Sequence, residues 1–181
     1  MAAARAKTAE SGFTLIEVAM AASLLIIGLV GMAYAFTMGA AVVSTAQDDT
    51  IARQKARQAL ESVLTGRNTA NISFPQIDNV GTGSGIFLTG FQPLYNYGAD
   101  GVIGTADDAA SGMETIVEPG PDGILGTADD IVVPLTNYQR QIVITDLTGT
   151  LKGIQVIIQY TSNTNLTRTV TVQSYVSPYI Q

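Results

Sequence analysis

The sequence predicts an α+β fold, with one long N-terminal helix packed on a small C-terminal antiparallel sheet like the handle and bowl of a ladle. Three observations carry that prediction. From Val18 to Gln47 there is no charged residue, roughly the length that spans a bilayer with turns to spare. Beyond it the helical period continues with one polar face. From Tyr138 to Val176 the period shortens to two, the alternation of strands that bury one side.

In chain order, residues 1–12 read as an unstructured leader carrying Arg5, Lys7 and Glu10. Residues 13–47 form the apolar half of the helix, hydrophobic all round as a membrane or buried helix must be. Gly28, Gly31 and Gly39 interrupt it. Small residues let helices approach closely in membranes; they are also weak points, and glycine is common in membrane helices without further meaning. Residues 48–66 are the amphipathic half. Ala52, Ala56, Ala59, Leu60 and Val63 recur at helical spacing, with Arg53, Lys55, Arg57 and Glu61 off that stripe. Thr65-Gly66 reads as the stop signal. Residues 67–97 are a connecting region broken by Pro75, Pro93 and glycines, in which Ile86-Phe87-Leu88 is either a short strand or a buried anchor. Phe91, Tyr95 and Tyr97 read as loop packing, with a carbohydrate platform as the alternative.

Residues 98–131 contain an internal repeat. Asp100-Gly-Val-Ile-Gly-Thr-Ala-Asp-Asp108 recurs as Asp122-Gly-Ile-Leu-Gly-Thr-Ala-Asp-Asp130, with seven of nine positions identical. Asp-Gly favours a tight turn, and the second glycine permits another positive φ. The paired aspartates fold back beside the first. Three carboxylates among backbone carbonyls suit a hard, oxygen-seeking cation such as Ca²⁺, so Asp100, Asp107, Asp108, Asp122, Asp129 and Asp130 are candidate ligands. The spacing is not that of an EF-hand. The alternative is two acidic turns whose aspartates cap backbone amides.

Residues 132–181 read as a three-stranded meander. Tyr138, Arg140, Ile142 and Ile144 share one face, as do Ile154, Val156, Ile158 and Tyr160, followed by Leu166, Arg168, Val170, Val172 and Ser174. Asp146–Gly149 and Ser162–Asn165 are the turns. That face is the expected cover for the amphipathic half of the helix.

Composition removes several classes of function. The chain has 181 residues and no cysteine, histidine or tryptophan. The usual general base, thiol nucleophile and soft-metal ligands are therefore missing, and no enzyme is expected. The net charge of −6 is concentrated between Gly98 and Asp130, where eight acids occur with no base. The only basic cluster, Arg53, Lys55 and Arg57, has Asp49 and Glu61 at helical spacing and reads as a solvated face, so no nucleic acid is expected.

One acid, Glu17, stands inside the apolar segment, where an unpaired carboxylate costs on the order of 3 kcal/mol at bilayer depth. The surrounding Ser11-Gly-Phe-Thr-Leu-Ile-Glu-Val18 resembles the processing site of type IV pilins and type II secretion pseudopilins. The following Ser23–Met32 is similar to minor members, the V-type minor pilins and I-type minor pseudopilins. The resemblance implies that a prepilin peptidase cuts after Gly12 and methylates Phe13. It further implies that Glu17 pairs with Phe13 of a neighbouring subunit during assembly. It covers about the first third of the chain. Its expected partners are that peptidase, other pilin or pseudopilin subunits and an inner-membrane assembly platform. Its expected locations are the inner membrane, as a single pass with the C-terminus outside, and then a periplasmic or cell-surface filament. Two features depart from it: the stapling disulfide of many pilins and the proline of their apolar half are both missing. Some major pseudopilins hold calcium near this region, a loose likeness that transfers no ligands. Competing readings of the N-terminus are a signal peptide cleaved after Ala33-Tyr34-Ala35, leaving a start at Phe36, and a plain membrane anchor. The expected function is thus a filament subunit of a pilus or secretion system. The alternative is a secreted or anchored calcium-dependent adhesion module, and weaker still is a carboxylate-only hydrolase.

Overall fold

In the computed structural model, which describes residues 12–162 and 165–179, Thr14 opens the first element. Its carbonyl accepts the first helical hydrogen bond from Val18 at 3.2 Å, and its hydroxyl accepts the Glu17 N–H at 3.3 Å. Helix α1 then runs unbroken over Leu15–Asn68. Residues 1–11 of the expected 1–12 leader lie outside the described residues, as do Asn163 and Thr164 of the last turn.

The chain forms two units, Met1–Val43 and Ser44–Gln181. In the first, every described residue from Gly12 to Ala40 is exposed, and this is one helix long and apolar enough to cross a membrane. The second holds the whole hydrophobic core, which begins at Ala52 and ends at Val176.

The predicted α+β fold class stands. Ala52, Ala56, Ala59, Leu60 and Val63, the stripe read from the sequence, are the buried apolar residues of α1. They pack in one cluster with the inward rows of the sheet. Gly66 plays a different part from the expected stop. It is buried within the helix, where a Cβ would come 2.7 Å from Val102 Cγ2. The residue in left-handed conformation that follows the helix is Ala70, at φ 59°.

Among the described residues six strands follow: β1 (Gln92–Pro93), β2 (Thr115–Glu118), β3 (Ile131–Pro134), β4 (Tyr138–Thr148), β5 (Leu151–Thr161) and β6 (Thr167–Val176). The main sheet has the order β1-β4-β5-β6, all antiparallel, and β2 and β3 form a separate two-stranded ribbon. The three-stranded meander and its inward rows are those the alternation predicts. Strand β2 lies inside the stretch read as acidic loops, and β3 runs from its last residue into the stretch read as the meander. The ribbon's four-residue strands are too short for periodicity to reveal.

The connecting region seals the exposed edge of β4. Asn79 donates to Ile142 O at 2.8 Å and accepts the Ile144 N–H at 2.9 Å, so one side chain does the work of a neighbouring strand. Phe87 is the buried anchor of Ile86-Phe87-Leu88. Lys152, itself buried, holds Ile77 O at 2.9 Å and Asp78 at 3.3 Å.

Candidate functional site

At the N-terminus, Gly12 and Phe13 precede the helix, and Phe13 is 82% exposed. Nothing lies within 4 Å of a Cβ placed at Gly12. Glu17 falls on the third helical position, with its N–H capped by Thr14. Thr14-x-x-Glu17 is therefore also a capping pattern, and an acid there meets the positive end of the helix dipole. The sequence reading overlooked this second use of Glu17, although the signal is legible in four residues. Gly28, Gly31 and Gly39 likewise face open space.

The two aspartate loops are structural copies. In the first, Val102 N–H donates to Asp100 Oδ1 at 2.8 Å, Asp100 N–H to Asp107 Oδ2 at 3.2 Å, and Gly104 N–H to Asp108 Oδ2 at 2.6 Å. The Thr105 hydroxyl binds Asp107 Oδ1 at 2.7 Å. In the second, the same four contacts join Ile124 to Asp122, Asp122 to Asp129, Gly126 to Asp130, and Thr127 to Asp129, at 2.8, 3.2, 2.7 and 2.6 Å. The left-handed glycines coincide too: φ is 70° at both Gly101 and Gly123, and 100° and 90° at Gly104 and Gly126. The copy reaches two residues further back than the sequence match. A Cβ at Gly98 would strike the Asp107 carboxylate, and one at Gly120 would strike Asp129.

Their surroundings separate the two loops. The first is sunk into the second unit. Val102 and Ile103 are fully buried, Asp108 is 2% exposed, and Ile103 N–H donates to Ser62 Oγ of α1 at 3.1 Å. The second forms the tip of the β2–β3 ribbon, and its matching pair, Ile124 and Leu125, is 60% and 61% exposed.

Electrostatics follow from those positions. The Thr105 hydroxyl, the largest influence, holds the Asp107 carboxyl below the usual range, and Thr127 does the same for Asp129. Burial pushes Asp108 up, against the pull of the Gly104, Gly98 and Thr105 amides. One ligand atom each from Asp100, Asp107 and Asp108 lies within 4.8 Å of the others, the one such acidic group among the described residues. The structure thus gathers the first predicted triad. Asp122, Asp129 and Asp130 share the four hydrogen bonds above but not this close approach, nor the further amides of Gly98 and Thr105 that Asp108 accepts. An all-oxygen, triply acidic donor set fits a hard divalent cation. The same carboxylates also cap backbone amides, the contacts that the alternative reading of the repeat expects.

Glu114, counted from sequence among the loop acids, is buried and does something else. Its Oε1 takes Arg140 at 2.8 Å and its Oε2 pairs with Lys55 at 2.7 Å. The expected solvated basic face is therefore divided. Arg53 pairs with Asp49 at 2.7 Å as predicted, whereas Lys55 turns inward. Sequence spacing cannot reveal an ion pair between residues 59 positions apart.

No protein-family model matches the chain, and neither a curated protein nor a solved structure matches it.

Proposed function

We propose that the chain is a non-enzymatic filament subunit of the pilin and pseudopilin type, cleaved after Gly12 and methylated at Phe13. The observation that carries this reading is a capped apolar helix, exposed on all sides up to Ala40, that opens within Gly12-Phe13-Thr14-Leu15-Ile16-Glu17. Such a surface needs lipid or other helices around it, and a subunit that moves from membrane to fibre meets both in turn. The membrane stage is the bacterial inner membrane, with the Ser44–Gln181 unit outside. Contacts that repeat head to tail without closing then generate the filament.

We infer in addition that the first loop binds Ca²⁺ through Asp100, Asp107 and Asp108, and that the more open second loop binds it through Asp122, Asp129 and Asp130. The cation would offset the carboxylate that burial disfavours at Asp108. The calcium-dependent adhesion reading shares this feature but leaves the N-terminal motif without a purpose.

The deciding experiment is mass spectrometry of the exported protein from cells with and without a prepilin peptidase. The expected N-terminus is N-methylated Phe13, and Gly12→Val should leave the full-length membrane form. A start at Phe36 would establish a signal peptide and end the filament reading.

A further inference from the structure

The two edges of the main sheet are treated differently. On the β4 side three devices oppose pairing with another chain. Strand β1 ends in Pro93, which has no N–H to offer, Asn79 takes the place of a strand, and the β4–β5 register shifts between Asp146 and Thr148. On the other side β6 has none of these. It runs for ten residues without proline or glycine, and its register with β5 is continuous from Thr167 to Val176. Arg168 is its only charge. Among the described residues β6 pairs with β5 alone, and no other element bonds to its backbone.

The free groups can be assigned. Ser162 N–H donates to Leu166 O at 3.0 Å, and bonded and non-bonded pairs alternate along an antiparallel ladder. Thr167, Thr169, Thr171, Gln173 and Tyr175 therefore aim N–H and C=O away from β5, and all five residues are exposed. A row of donors and acceptors at two-residue spacing is the complement of another extended strand.

We propose that this strand is β6 of a second copy, lying antiparallel across a twofold axis at Thr171. Length, charge and side chains all favour a second copy. The β4 edge is sealed, β1 has two residues, and β2 and β3 have four each, so among the described strands only β6 matches β6. The axis sets each Arg168 opposite a Ser174, so no like charges face each other. It sets Val170 opposite Val172 on the inward side. On the outward side Thr169 meets Gln173 and Thr167 meets Tyr175, pairings of the β-branched and aromatic kind that stabilise sheets. An axis at Val172 would instead oppose Arg168 to the buried Val176. A twofold contact closes on itself, so it is not the open contact of a filament. It pairs subunits whether or not they later assemble, and it does not rest on the filament reading.

The test uses the full-length chain in detergent, which has no native cysteine. Opposed Cα atoms of a bonded antiparallel pair lie about 5.5 Å apart, within reach of a disulfide. Thr171→Cys alone should therefore give dimers on mild oxidation, and Gln139→Cys, exposed on β4, should not. A mixture of Thr167→Cys and Tyr175→Cys chains should give mixed dimers in excess of dimers of either with itself. Adding Thr169→Pro to Thr171→Cys should cut the dimer yield about tenfold, because it removes an outward N–H from each copy and none that β5 uses. A Thr171→Cys chain that dimerises no better than Gln139→Cys overturns the proposal. So does a mixture in which self-linked dimers prevail, which would mean a contact in another register or through the helix. A yield indifferent to Thr169→Pro would equally exclude backbone pairing at this edge.

Discussion

Glu114 shows how much one residue's meaning depends on what surrounds it. Its carboxylate is 2% exposed and holds Arg140, itself 4% exposed, while Lys55 reaches it from α1. Removing the acid strands a buried guanidinium, which typically costs about 3–5 kcal/mol. Glu114→Gln should therefore lower stability by about that amount in urea unfolding. Pairing Glu114→Met with Arg140→Met should recover most of it, since Lys55 is partly solvent-exposed. A single substitution costing under about 1 kcal/mol would mean that water already reaches the pair. Tyr138 supports a pH prediction. Burial first, then the charge of Asp48 and a hydrogen bond to it at 3.1 Å, raise the phenol's pKa. The folded state thus retains a proton that the unfolded chain gives up near pH 10. Its contribution is complete below that pH and is lost as pH rises above it, at up to about 1.4 kcal/mol per pH unit. Tyr138→Phe should flatten part of the fall in the urea midpoint between pH 9 and 11. An equal fall in the variant would assign the effect to other groups.

At the scale of the element, the loops show that identical local structure can have unequal consequences. Gly98→Ala and Gly120→Ala each force a Cβ against an aspartate. The first loop is tied to Ser62 of α1 and holds Val102 and Ile103 in the core, so disturbing it disturbs the unit. Gly98→Ala should lower the melting temperature by several degrees, as a loss of 1 kcal/mol or more implies, and Gly120→Ala by less than one. Equal shifts would show that the ribbon loop also supports the fold. Calcium follows the same division. With Ca²⁺ at 100 times the dissociation constant, one site adds about 2.7 kcal/mol, so residues 44–181 should melt higher in calcium than in chelator. Asp100→Asn should remove more of that gain than Asp122→Asn, because the first triad is the one drawn together. A melting curve that ignores chelator would leave the loops as amide-capping turns.

At the scale of the whole molecule, one helix serves two different surroundings. Through Ala40 it has no buried residue, and from Ala52 it belongs to a core. We expect Glu17→Val to be cleaved and methylated normally, because Gly12 and Phe13 are untouched. Incorporation into filaments should nevertheless fall by at least about tenfold, since an amine left without its carboxylate in an apolar fibre is costly. Quantifying subunits in sheared filaments checks this. Normal incorporation would reduce Glu17 to its local place in the Thr14 cap.

The sequence alone determined what periodicity and composition encode: the long helix, the stripe from Ala52 to Val63, the inward rows of the meander and the twin loops. These are short-range patterns, fixed by the 3.6- and two-residue repeats and by turn chemistry. It could not fix what depends on chain-distant neighbours. Gly66 reads as a stop and is a contact surface for Val102. Lys55 reads as a solvated charge and reaches inward to the buried Glu114. Asn79 reads as loop and closes a strand edge. Of two loops written almost alike, only the tertiary structure decided which lies inside, because burial depends on whether a complementary surface is within the chain's reach.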